Sequence, residues 1–200
     1  MGEWTMKGSE TGLLRFMGGY SDRYIIPVYQ RRYNWRKEEC RQLYQDLQKI
    51  VTERRASHFM GSVVSQVTGS GAMTEHQIID GQQRLTTVTL LLLAMANMVK
   101  ARKIASQRGE ILYDQIMETY VIDKFARPED QIKLRLIKSD REDLAKIVAR
   151  DTSDPSSNLT INYNFFCEEL LKGSPTVDDM YDALGRLQII SSNFAHLKPL

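Results

Sequence analysis

Polar and apolar positions follow two periods along this chain, and the switches between them mark its elements. Over 35–55, Cys40, Leu43, Tyr44, Leu47, Ile50 and Val51 recur at the i, i+3, i+4, i+7 spacing, which predicts a helix with one buried face. Asn34 stands where it can cap that helix, with Glu38 and Glu39 near its positive end. "HFMGSVVSQV" (58–67) and "EHQIID" (75–80) read as strands, joined through "TGSGAM" as a turn or hairpin loop. Gly81 breaks the second strand, and a helix follows to about Lys103. That helix is apolar almost all round, which predicts a place at the centre of the core. Upstream, "RYIIPVYQRRY" (23–33) reads as a strand or extended segment, and Pro27 within it argues for an edge or an irregular stretch.

The second half is mostly of helical period. Residues 109–126 predict a helix with Leu112, Ile116 and Tyr120 on one face. In "QIKLRLIK" (131–138), Ile132, Leu134 and Leu136 alternate with Lys133, Arg135 and Ile137, the pattern of a half-exposed strand. "SDREDLAKIVAR" predicts a short helix capped by Ser139 or Asp140, and "DTSDPSSN" a loop. Leu159, Tyr163, Phe166 and Leu170 align on a helix over 159–172, and another starts at a cap near Thr176. "QIISSNF" reads as a strand with no evident partner. Residues 1–22 read as a glycine-rich, partly ordered lead-in. The fold class expected is therefore α+β: a lead-in (1–22), a compact α/β core (23–105) and a mostly helical subdomain (106–200), with the boundary near 104–109.

Composition changes this picture little. Apolar residues at 42% and charged residues at 26% are ordinary for a globular chain. With 27 basic and 25 acidic residues the net charge is +2, so any nucleic-acid binding must come from a local patch. Cys40 and Cys167 have neither metal-ligand nor disulfide-framework spacing. Cys40 lies on the apolar stripe and reads as a buried thiol. His58, His76 and His196 are scattered, so nothing resembles a zinc site. No signal peptide is visible. The apolar run "VTLLLLAMANMV" is about a dozen residues, short of the roughly 20 that span a bilayer. A cytoplasmic protein without a membrane segment is expected.

Two stretches carry candidate chemistry. In "IIDGQQRLTT" a strand runs into a helix through Asp80, Gly81, Gln82, Gln83 and Arg84, followed by Thr86 and Thr87. Glycine at such a turn admits a close ligand. The unpaired N–H groups of the helix's first turn favour an anion. Arg84 can grip phosphate oxygens, Asp80 can hold a magnesium-bound water or orient an attacking one, and a glutamine can position water. The plainer alternative is that Asp80 only caps the helix. The second stretch is "IPVYQRRYNW", where Tyr29, Tyr33 and Trp35 surround Gln30, Arg31 and Arg32. It can stack a base or clamp phosphates. Alternatively, Tyr33 and Trp35 anchor the following helix and the arginines are solvated. No Gly-x-x-x-x-Gly-Lys-Ser/Thr loop is present, which excludes an ordinary P-loop enzyme.

"IPVYQRRYNW", "HFMGSVV" and "IIDGQQRLTTVTLLLL", in this order, resemble the N-terminal domain of GmrSD-type, modification-dependent restriction proteins. "RLIKSDREDLAKIV" and "INYNFFCEEL" resemble that family's later segments. The resemblance implies a ParB/sulfiredoxin-like core and Mg²⁺-dependent binding and hydrolysis of a nucleoside triphosphate. It implies Asp80, Gln82 and Gln83 in catalysis. Gln30, Arg31, Gly81, Arg84, Thr86 and Thr87 would grip the nucleotide, and Asp80 would also hold Mg²⁺ through water. The domain would regulate a nuclease in anti-phage defence. No His-Asn-His-type pattern occurs here, and the chain ends before an Asn-x-Arg-Gly-type segment. A truncated chain or a stand-alone sensor is therefore expected, with the nuclease in a C-terminal domain or partner subunit. The alternative is a sensor without turnover that binds nucleotide or modified DNA; a homodimer stays open. Direct DNA cleavage lacks an activated nucleophile or a carboxylate cluster.

Overall fold

The computed structural model describes residues 4–68 and 73–196. Among the described residues six strands form one mixed sheet: β1 (Trp4–Gly12), β2 (Asp22–Ile25), β3 (His58–Val67), β4 (Thr74–Asp80), β5 (Leu134–Arg135) and β6 (Leu187–His196). Their order is β1-β6-β3-β4-β2-β5. β1 runs antiparallel to β6 and β4 antiparallel to β3; the β6–β3, β4–β2 and β2–β5 pairs are parallel. The helices are α1 (Leu13–Met17), α2 (Lys37–Thr52), α3 (Gln82–Lys100), α4 (Glu110–Ile116), α5 (Lys138–Ala149), α6 (Asn158–Leu170) and α7 (Val177–Leu184). The fold is α+β, as expected.

α3 is the core helix that its all-round apolarity predicts, with every residue from Leu85 to Val99 buried. It packs against α4, α6 and α7. α2 buries Cys40, Leu43, Tyr44, Leu47 and Ile50 along its predicted stripe. Burial pushes the Cys40 thiol up to about 12. Among the described residues no helix is long and apolar enough to cross a membrane.

Several expectations change. Residues 4–12 of the lead-in are a full strand, and Leu13, Leu14 and Met17 are buried. "QIISSNF" finds its partners on both sides, β1 and β3. The sheet thus takes strands from the lead-in, the core segment and the second half, and no break at 105 divides it. A single sequence window could not show this, because each partner lies far away along the chain. The turn expected at 68–73 has residues 69–72 outside the described residues. Asn34 does not cap α2: Arg36 takes that position, and its N–H donates to Glu39 Oε2 at 2.8 Å. Neither Ser139 nor Asp140 caps α5, which starts from Ile137. Thr176 does cap α7, reciprocally with Asp179.

The helix expected over 109–126 ends at Ile116, and a π turn, Met117–Val121, follows. Lys133, expected on a solvated face, is 2% exposed. Its ammonium donates to Thr119 O at 2.7 Å and Gly19 O at 3.0 Å, tying that π turn and the Gly18-Gly19 turn together. Burial lowers its pKa, while Asp123 and Asp22 oppose the shift. Only Leu134–Arg135 remain as strand.

Candidate phosphate-binding cleft

The strand-to-helix turn sits where Val64 of β3 pairs with Asp80 at the end of β4. Gly81 follows with φ 96°, and α3 begins at Gln82 without a side-chain cap among the described residues. Asp80 is exposed and does not cap the helix, so the plainer alternative for this residue falls away. The first-turn amides of α3 therefore have no side-chain partner among the described residues, and unpaired N–H groups with the helix dipole favour an anion at such a helix start.

Gly81 is required here for two reasons. Its left-handed backbone disfavours a side chain, and an added Cβ would lie 3.0 Å from Val63 Cγ2 and 3.1 Å from Ser62 O. Gly81→Ala is expected to destabilise by about 1–2 kcal/mol from the left-handed backbone alone. That lowers the melting temperature by roughly 2–8 °C in a chain of this size, measurable by thermal denaturation.

Gln30 and Arg31 arrive at the same place from the other segment. Gln82 Nε2 donates to Gln30 Oε1 and to Arg31 O, each at 3.3 Å, and Gln30 Nε2 donates to Ile79 O at 2.9 Å. Together Gln30, Arg31, Asp80, Gly81, Gln82 and Arg84 line an open cleft of about 170 Å³, with Trp35 and Gln83 at its wall. Arg84 Nη1 donates to Ser62 O at 2.8 Å, its guanidinium lying over Gly61. Arg31 is exposed, and no carboxylate pairs with it among the described residues. Two arginines and one aspartate thus line this small space.

The other expected residues lie elsewhere or do other work. Thr86 and Thr87 are buried and turn back to donate to Gln82 O and Gln83 O, each at 2.8 Å. Thr87 also shares a 2.7 Å hydrogen bond with the Tyr33 hydroxyl. Neither faces the cleft, because both point to the core side of α3. Gln83 is 7% exposed, and backbone engages both ends of its amide. Its Oε1 accepts from Asn34 N at 3.0 Å and Trp35 N at 3.3 Å, and its Nε2 donates to Arg32 O at 3.2 Å. It is a tie between the two segments rather than a group free to orient water. Tyr33 is a core anchor, as the plainer alternative had it, and burial raises its phenol above the usual value.

Four residues that the motifs did not single out complete the arrangement. Asp140 Oδ2 accepts from Tyr33 N at 2.7 Å. Asn162 Nδ2 donates to Trp35 O at 2.8 Å and to the Tyr33 hydroxyl at 3.0 Å. With Gln83 they pin the backbone of 32–35, so α5 and α6 hold one lip of the cleft. Gly61 and Ser62 seat Arg84. Asn162 left a signal, a polar residue on the face of α6 that carries Leu159 and Phe166. Gly61 left another, a glycine inside a strand, which marks a bulge or a close approach. Asp140 left none, since its spacing suits a cap.

An α+β sheet protein with an uncapped, arginine-flanked helix start is the class that fold and cleft define. The family described as GmrSD restriction endonuclease, N-terminal domain, matches residues 13–195, and the chain belongs to it. That membership places the chain in a restriction system. No curated protein matches the chain.

Proposed function

We propose that the cleft binds the phosphates of a nucleoside triphosphate, that Mg²⁺ enters with them, and that hydrolysis there regulates a nuclease of the restriction system. The observation that carries this reading is the convergence of Arg31 and Arg84, from separate segments, on the uncapped start of α3 beside Asp80. Arginine forks and first-turn amides suit phosphate oxygens. Among the described residues no group of three or more His, Cys, Asp or Glu side chains converges on a metal position. A Mg²⁺ that arrives on a polyphosphate needs only one or two carboxylates, so Asp80 suffices to hold it through water. When bound, the ion neutralises phosphate charge. Gln82 positions Gln30 and the Arg31 backbone, and its own Oε1 takes no hydrogen bond among the described residues. That leaves Gln82 Oε1 and Asp80 as the groups available to orient water. The regulated nuclease would lie in a C-terminal domain or a partner subunit.

One observation favours a second reading, binding without turnover: the amide of Gln83 is held by backbone at both its oxygen and its nitrogen. Nucleotide or modified DNA would then occupy the cleft as a signal.

Arg84→Ala is expected to weaken Mg-nucleotide binding by roughly 10- to 150-fold, the loss of a charge-assisted hydrogen bond. Arg31→Ala should weaken it in the same direction with an unchanged melting temperature, because that side chain is exposed. Titration calorimetry and phosphate release measure both. Wild-type affinity and turnover in both variants would sink the assignment.

A further inference from the structure

The cleft is smaller than the roughly 300–1,000 Å³ of pockets that enclose whole ligands. At about 170 Å³ it is sized for phosphates, and a nucleoside attached to them would extend out of its open side. A second depression adjoins it: a groove of about 300 Å³ between α2 and the start of β3, walled by Trp35, Leu43, Phe59 and Met60. Trp35 is common to groove and cleft. β3 also links them, since Phe59 and Met60 lie in the groove while Gly61 and Ser62 seat Arg84.

The linking stretch is built irregularly. Phe59 pairs with Gln188 and Ser62 with Ile190, so Met60 and Gly61 together oppose one residue of β6. Such a bulge bends the strand and re-aims its side chains, and bulges recur beside functional sites. Gly61 has φ 113°, and Phe59 is 57% exposed. An exposed aromatic ring beside a tryptophan makes a stacking surface. The groove's rim is acidic, with Glu39 and Asp46. Asp46 accepts from Gln42 at 2.9 Å and lies 3.6 Å from His58 Nε2 and from Lys49. Carboxylates repel phosphate and the cleft's arginines attract it, which together favour one direction for a bound nucleotide: phosphates toward Arg31 and Arg84, base toward Phe59.

We propose that this groove is the nucleobase seat of the same site, with the base stacked on Phe59 against Trp35 and Met60. This rests on the polyphosphate reading of the cleft. Base–aromatic stacking tolerates any base, so the seat serves nucleotides as a class.

The test compares wild type, Phe59→Ala and Arg84→Ala by titration calorimetry. The ligands are the four ribonucleoside triphosphates and inorganic tripolyphosphate, each with Mg²⁺. Phe59→Ala is expected to weaken nucleotide binding by roughly 5- to 150-fold, to leave tripolyphosphate affinity unchanged, and to keep the wild-type melting temperature. Arg84→Ala should weaken both kinds of ligand. Nucleotide affinity unchanged in Phe59→Ala, with Arg84→Ala still weakening both, would overturn the base seat and leave the phosphate reading standing. An equal loss for tripolyphosphate in Phe59→Ala would overturn it as well. Wild type binding neither ligand would overturn both readings together.

Discussion

Replacing Gln83 with leucine is expected to lower stability by about 2–4 kcal/mol and to disorder one lip of the cleft at the same time. The change conserves shape and burial, so packing contributes little to the loss. What disappears is the partner of two backbone amides, Asn34 N and Trp35 N, and of one carbonyl, Arg32 O. An unsatisfied buried polar group costs about 1–3 kcal/mol. Arg32 and Asn34 are exposed, so water relieves part of the loss, which holds the total below the sum. For a chain of this size the melting temperature should fall by roughly 5–15 °C. Asp140 and Asn162 still grip Tyr33 N and Trp35 O. The damage should therefore be local, and amide exchange should rise at 32–35 before it rises in α3. A leucine variant that melts with wild type and shows no faster exchange at 32–35 would remove Gln83 from this role.

The tie made by Gln83 also shows where sequence reading succeeds and where it stops. α3, β3, β4 and the Thr176 cap were legible because each is written in local period or local cap chemistry. The meeting of "IPVYQRR" with "DGQQR" came from a family resemblance, and the structure brings Gln30 and Gln82 into contact. What was not legible depends on partners far away in sequence. Trp4–Gly12 becomes a strand only because Leu187–His196 lies beside it. Lys133 is buried because two carbonyls, Gly19 O and Thr119 O, await its ammonium. Asp140 has the spacing of a cap, and its carboxylate instead reaches Tyr33 N, 107 residues earlier. Thr86 and Thr87 stand next to the motif in sequence, but α3 turns their hydroxyls to its buried side.

Asp80→Asn is expected to separate holding the nucleotide from hydrolysing it. Among the described residues no hydrogen bond or ion pair uses the carboxylate: it is exposed, and α3 has no side-chain cap. Asparagine keeps the shape and the backbone pairing with Val64, so the melting temperature should not move. Without Mg²⁺, a carboxylate beside the phosphate-binding amides repels the ligand. Asp80→Asn should then bind nucleotide as tightly as wild type or more tightly. With Mg²⁺, wild type should gain affinity through the ion that Asp80 holds by way of water, and the variant should lose most of that gain. Phosphate release should drop by roughly 10²- to 10⁴-fold, the range for losing a group that activates or orients water. The two effects have opposite signs in magnesium-free binding and in turnover, and loss of fold cannot imitate that pattern. Unchanged phosphate release in Asp80→Asn would take water activation away from this residue. Gln82 would then be the remaining candidate, since Gln83 has its amide committed to the backbone of 32–35. If wild type itself releases no phosphate but binds nucleotide, and Asp80→Asn still binds more tightly without Mg²⁺, the cleft is a sensor. Its output would then be the position of the 32–35 lip that Gln83, Asp140 and Asn162 hold.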